Sequence, residues 1–213
     1  MAERLVVDPT RPAAVALARA VAELRAGGLL IYPTDTLYAF GGVALVPGVA
    51  ERVRAAKGRD ERKPLPLVAA GEEQARALAA DWPEAAARLA ARFWPGPLTL
   101  VLTAGASVPP GITAGGSSVA VRVPGLALTR ELCVGAGALV STSANLSGAP
   151  ATLDCAAALA SVGAAAVLAL DAGLLVSQPS TIVDVSSGEP RLLREGAVRW
   201  DEVRAALRGA RPR

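Results

Sequence analysis

The sequence has no histidine, two cysteines and two lysines in 213 residues, and aromatic side chains make up only 3% of it. Without histidine there is no Ser-His-Asp triad, no Cys/His zinc site and no imidazole base. Cys133 and Cys155 lack CxxC spacing and sit in segments with an apolar helical pattern. The scarcity of aromatics leaves few platforms for stacking nucleobases. Although 52% of the residues are hydrophobic, no run approaches the length needed to span a bilayer. The start, MAERLVVDPTRP, lacks the basic-then-apolar layout of a signal peptide. The expectation is a soluble, cytoplasmic protein with no membrane contact. No linker, charge block or composition break divides the chain, so residues 1–213 are expected to form a single domain.

What is present is hydroxyls, amides, carboxylates and arginine. A net charge of +3 suits an anionic ligand without pointing by itself to nucleic acid. The two lysines, Lys57 and Lys63, fall in one seven-residue segment, while the other 20 of the 22 basic residues are arginines. The surrounding stretch KGRDERKP, residues 57–64, has the composition of a solvated surface. It also has the parts of a phosphate clamp: Lys57 and Arg59 for charge-assisted bonds, and Gly58 for close backbone approach. As a clamp, both basic residues should be reachable from solvent. A second polar concentration is LVSTSANLSGAP, where an apolar run ends in Ser141, Thr142, Ser143, Asn145 and Ser147. Such a stretch is either a turn or a set of uncharged ligand-holding groups. If it lines a cavity, Asn145→Asp should cost activity more than stability.

Apolar periodicity orders the rest. Helices are expected over 11–26, with Thr10 as cap and Pro12 in the first turn, and over 49–56, 72–80, 83–93 (capped by Asp81), 126–134, 154–161 and 201–208. Strands are expected over 29–32, 65–70, 98–103, 119–123, 139–140, 167–171, 180–185 and 191–193. The tip Pro33-Thr34-Asp35-Thr36 reads as a strand-to-loop turn, and 107–118 as a mobile Gly/Pro/Ser loop. Arg122 lies near the end of its strand, where alternation alone could turn it to solvent. The fold class is mixed α/β: a twisted open sheet, helices outside, and a concave basic cavity where strand tips converge.

The segments PTDTLYAFGG, KGRDERKPLPL, FWPGPLTLVL, VAVRVP, STSANLSG, PSTIVDV and LLREG occur in the order found in YrdC-like domains. From about Pro9 to Arg199 the chain resembles this family of threonylcarbamoyl-AMP synthases. The resemblance implies an enzyme that makes threonylcarbamoyl-adenylate and pyrophosphate from L-threonine, bicarbonate and ATP, for modification of tRNA. It implies a catalytic tetrad at Lys57, Arg59, Ser143 and Asn145. It places Thr36, Arg122, Ser143 and Ser180 with threonine. Lys57, Arg59, Ser118, Asn145 and Arg194 fall with ATP, and Lys63 joins them as a further basic group. Arg122 can offer a planar fork to a carboxylate. Magnesium would accompany ATP, and no acidic cluster marks a metal site in the protein. Implied partners are the three small substrates and downstream threonylcarbamoyl-transfer proteins. The second functional reading is an RNA-binding module without turnover, and direct RNA contact belongs to that reading.

Three positions depart from the family pattern. Ala39-Phe40 stands for the usual Gly-Leu and is expected to reshape a tight turn. Lys63 stands where asparagine is common, and Val68 near a frequent histidine. The chain resembles the family's short form; relatives that carry zinc-finger and acylphosphatase modules do not fit it.

Overall fold

A computed structural model describes residues 2–175 and 178–208. The ends of the 1–213 span, at residue 1 and 209–213, lie outside the described residues. In chain order the elements are β1 (Glu3–Val6), α1 (Ala14–Arg25), β2 (Leu30–Pro33), β3 (Tyr38–Gly41), α2 (Val49–Lys57), β4 (Leu67–Val68), α3 (Glu72–Arg76), α4 (Glu84–Phe93), β5 (Leu98–Thr103) and α5 (Pro110–Thr113). They continue as β6 (Ser118–Arg122), α6 (Ala127–Ala136), β7 (Leu139–Val140), β8 (Thr142–Ser143), α7 (Cys155–Val162), β9 (Leu168–Asp171), β10 (Thr181–Asp184), β11 (Arg191–Arg194) and α8 (Trp200–Arg208).

The mixed α/β class is borne out, with the strands divided between two sheets rather than one. A five-stranded sheet runs β1-β9-β2-β3-β8 and a six-stranded sheet runs β11-β10-β5-β6-β4-β7. Both mix parallel and antiparallel pairs. In the first, Leu29 and Ile31 enter the larger core while Leu30 and Tyr32 enter a second core with Ala20 and Leu24 of α1 and Leu128 and Leu132 of α6. Burial on both faces explains the unbroken apolar run there. In the second sheet the two faces differ. Leu98, Leu100 and Leu102 of β5 and Val119 and Val121 of β6 enter the larger core. The intervening Thr99, Val101, Ala120 and Arg122 therefore share the opposite face, as a period of two requires.

Local chemistry moved several expected boundaries. Thr10 caps no helix: its amide and hydroxyl both donate to Asp8 Oδ1, at 2.8 and 2.7 Å, so Pro12 precedes α1. Pro83, not Asp81, occupies the position before α4. The PTDT tip turns a hairpin, because Thr34 Oγ1 accepts from the amides of Thr36 and Leu37, each at 3.1 Å. The chain returns as β3 antiparallel to β2. Ala39 lies inside β3, opposite Tyr32 and Ser143. It is not in a tight turn, and glycine's freedom is not required there. Gly41 is different: a Cβ there would lie 1.8 Å from the Val140 carbonyl oxygen, so two backbones meet at that point. Short α5 occupies part of the segment expected to be a loop.

Candidate active site

A cavity of about 450 Å³ lies on the open face of the second sheet, closed by the β2–β3 hairpin tip and by β8. Alternation supplies its floor: Thr99 and Val101 from β5, Ala120 and Arg122 from β6, and Ile182 from β10. Its charged lining residues are Arg59, Arg122 and Arg194. Hydroxyls come from Thr34 and Thr36 at the hairpin tip, from Ser141, Thr142 and Ser143, and from Thr99 and Ser180. The set can surround a small anionic ligand with donors on several sides.

Arg122 is 6% exposed. Its Nη1 lies 3.3 Å from Asp35 Oδ1, yet the alignment makes no hydrogen bond, and both atoms are buried without a partner. Asp35 offsets the buried charge, but the hydrogen-bonding capacity of both groups at that contact is left unused. Burial pushes the guanidinium below its ordinary range, with Asp35 opposing the effect. Alternation does not turn this arginine to solvent, because the open face of its sheet is the cavity. Val68 is aligned with Arg122 in the neighbouring parallel strand and gives an apolar wall where the family often has histidine.

Ser180 and Thr99 hydroxyls lie 2.9 Å apart. Arg194 donates through Nη2 to the Ser180 carbonyl at 2.7 Å and to its hydroxyl at 3.2 Å. Arg59 donates to the Pro64 carbonyl at 2.8 Å, while its Nε is buried without a partner. Burial lowers the pKa of both arginines, and at Arg59 the charge of Arg54 adds to the effect.

Of the residues expected at the site, Thr36, Arg59, Arg122, Ser143, Ser180 and Arg194 line one cavity. Lys57, Lys63, Ser118 and Asn145 are not among its lining residues. Lys57 corrects the expectation of a solvent-reachable clamp: it is 2% exposed, and its ammonium donates to the carbonyls of Ser143 and Asn145. Burial, with Arg59 nearby, brings its pKa down to about 8. Asn145 donates through Nδ2 to the carbonyls of Leu146 and Ala149 at 2.9 and 2.8 Å, and its Oδ1 is buried without a partner. Lys63 is exposed, and Ser118 lies half-buried at the far end of β6, opposite Thr103. Sequence reasoning passed over Thr34, Thr99 and Asp35. Thr99 had left a signal, as the polar residue breaking the run LTLVL.

Among the described residues no group of three His, Cys, Asp or Glu side chains is placed to hold a metal, and no helix is long and apolar enough to cross a membrane.

The family model for Sua5, YciO and YrdC proteins, described as telomere recombination, matches residues 22–196. The chain is 36% identical over 186 residues to a threonylcarbamoyl-AMP synthase of Pyrococcus abyssi, covering 86% of this chain and 55% of that protein. It is 38% identical over 188 residues to a threonylcarbamoyl-AMP synthase of Chromobacterium violaceum, covering 87% and 96%. The crystal structure of P. abyssi Sua5 complexed with L-threonine superposes with a TM-score of 0.92 at 33% identity, over 98% of this chain and 62% of that one. The chain thus spans little more than half of the Pyrococcus protein and nearly all of the Chromobacterium one. It belongs to the Sua5/YciO/YrdC family.

Proposed function

We propose that this chain joins L-threonine, bicarbonate and ATP into threonylcarbamoyl-AMP with release of pyrophosphate. The observation that carries this reading is the buried Arg122 guanidinium on the floor of a cavity ringed by hydroxyls and two further arginines. Similarity to proteins named threonylcarbamoyl-AMP synthase supports it, as does a threonine-bound relative of nearly the same shape.

In this reading Arg122 takes the threonine carboxylate through its planar fork. Thr36, Ser143 and Ser180 hold the polar atoms around it. The threonine amine combines with bicarbonate, losing water, to form a carbamate. A carbamate oxygen attacks the α-phosphorus of ATP, and pyrophosphate leaves. The carbamate is already anionic, so the attack needs no side-chain base. That suits a lining rich in hydroxyls and guanidiniums. Arg59 and Arg194 balance charge on the phosphates; the family resemblance assigns Lys63, Ser118 and Asn145 to the nucleotide as well, although none of them lines the cavity. Lys57 completes the tetrad by holding the loop that carries Ser143 and Asn145. Rate acceleration then comes from placement and from charge stabilisation.

The lining offers magnesium no carboxylate, so the ion would be held by the phosphate oxygens it arrives with, and would offset their charge. The product is a reactive mixed anhydride, which a downstream threonylcarbamoyl-transfer protein would consume for tRNA modification in the cytoplasm. Both sheets contribute walls to one cavity, which supports reading the chain as a single domain.

The test is mass spectrometry of purified protein incubated with threonine, bicarbonate and ATP. Threonylcarbamoyl-adenylate and pyrophosphate are expected in equal amounts. Folded protein that yields neither would overturn the proposal.

A further inference from the structure

A second cavity, of about 470 Å³, lies behind the basic loop, between α2 and α5. Glu51, Arg54, Ala55 and Gly58 recur at helical spacing and form one wall, and Pro110 and Gly111 form the other. Arg59 lines both cavities. Arg54 lines only the rear one and is 8% exposed. Its guanidinium donates to the Gly111 carbonyl of α5 and, at 3.3 Å, to the Lys63 carbonyl at the far end of the basic loop. Its own carbonyl accepts from the Arg59 amide at 3.0 Å, at the near end. One residue therefore grips the loop at both ends and ties it to α5. The next contact continues the seam, with the Leu65 amide donating to the Ile112 carbonyl at 2.9 Å.

We propose that Arg54 is a positioning residue for the nucleotide: its grip on Lys63 and Gly111 sets the path of residues 58–63, and so the place at which Arg59 meets phosphate. The proposal rests on the reading that the first cavity takes ATP. A loop of this kind loses conformational freedom when its ends are pinned. Arg54 has met that cost before ligand arrives, and Arg59 need not be ordered at binding. The hydrogen bonds of Arg54 and Arg59 here go to main-chain carbonyls, and Glu51 and Glu61 in the same rear cavity balance their charge, so the role of Arg54 is to hold the loop rather than to add field.

The test compares Arg54→Met, which removes charge and fork, with Arg54→Lys, which keeps the charge. In steady-state pyrophosphate release, Arg54→Met is expected to raise the KM for ATP about tenfold, the effect of losing one good polar contact. The KM for threonine should stay within about twofold, and Arg54→Lys should fall between. A residue that merely supports the fold would lower kcat with both KM values unchanged, and that result would overturn the proposal. A double-mutant cycle with Arg59→Ala adds a second check. If Arg54 acts through Arg59, the double variant should be no worse than Arg59→Ala alone, and full additivity would refute this. Amide hydrogen exchange across residues 58–63 reads the grip without turnover. Faster exchange in Arg54→Met is expected, and unchanged exchange would overturn the proposal. A wild-type protein that binds no ATP would refute the functional reading, and the exchange data would still decide the grip.

Discussion

Replacing Arg122 by lysine keeps a positive charge on the cavity floor and removes the fork. A guanidinium can give a carboxylate two parallel bonds, whereas an ammonium meets it as a point charge. The loss is therefore one charge-assisted hydrogen bond, worth about 1.5–3 kcal/mol, or roughly 10- to 150-fold in affinity. Arg122 is 6% exposed, so added salt should screen little of the effect. Asp35, whose side chain is 19% exposed, can still face the ammonium, so no buried carboxylate is left alone and the fold should survive. The assay is threonine titration of pyrophosphate release at saturating ATP and bicarbonate, with a thermal midpoint measured on the same preparation. The KM for threonine should rise by that factor, the KM for ATP should hold, and the midpoint should move little. An unchanged KM for threonine would refute the assignment of Arg122 to the carboxylate. An equal rise in both KM values would point instead to a general collapse of the cavity.

Three further outcomes are expected. Asn145→Asp replaces an NH2 that donates to two carbonyls with an oxygen that repels them, and should cost about 2–3 kcal/mol of stability, read as a lower urea midpoint. The sequence-based expectation is that activity suffers more than stability; the two carbonyl bonds add a substantial stability cost, and a wild-type midpoint would contradict it. Lys57, with its pKa at about 8, should lose its proton as pH rises, and its bonds to the Ser143 and Asn145 carbonyls should weaken from charge-assisted to neutral, giving a fall in kcat/KM centred near pH 8. Because the folded value lies below the ordinary 10.5, the unfolded chain keeps the proton between about pH 8 and 10.5, and stability from this residue rises with pH there. Activity and stability should thus move in opposite directions across that window, and a parallel fall of both would count against it. Gly41→Ala would drive a Cβ to within 1.8 Å of the Val140 oxygen and should destabilise by about 3 kcal/mol, measured by denaturant unfolding.

Much of the fold was legible because one physical signal dominated each segment. The run from Leu29 to Tyr32 reads as a buried strand, and it is buried on both faces between α1 with α6 and the larger core. LTLVLT reads as a strand and carries its polar residues on the cavity face. The failures are those of weak or competing signals. β1 has the burial of an edge strand, with three of its four residues exposed, and so lacks an apolar pattern to find. β3 is hidden because Pro33-Thr34-Asp35-Thr36 reads as a strand-to-loop turn and Ala39-Phe40 is expected in a tight turn, whereas the Thr34 hydroxyl bonds fold the segment into a hairpin. The division into two sheets depends on register and crossover, which periodicity does not encode.

At the site, residue types were legible and directions were not. Lys57 and Arg59 stand two positions apart and look equivalent in sequence. Lys57 belongs to the last turn of α2, while Gly58 takes a left-handed conformation, with φ of 57°, that swings the chain off the helix axis. Arg59 consequently reaches the cavity, while the Lys57 side chain reaches the carbonyls of Ser143 and Asn145. The Lys57 carbonyl adds a bond from the Ser147 amide at 2.9 Å. Both ends of the residue therefore hold the STSAN loop. An ammonium suits this position because it can donate to several carbonyls from a single compact group. The same hold places Ser143 at the cavity wall while Lys57 itself is not among the lining residues. A lysine read from composition as a phosphate ligand is thereby explained as the post on which a ligand-facing loop is hung, and Arg59 is left as the member of the pair that faces the cavity.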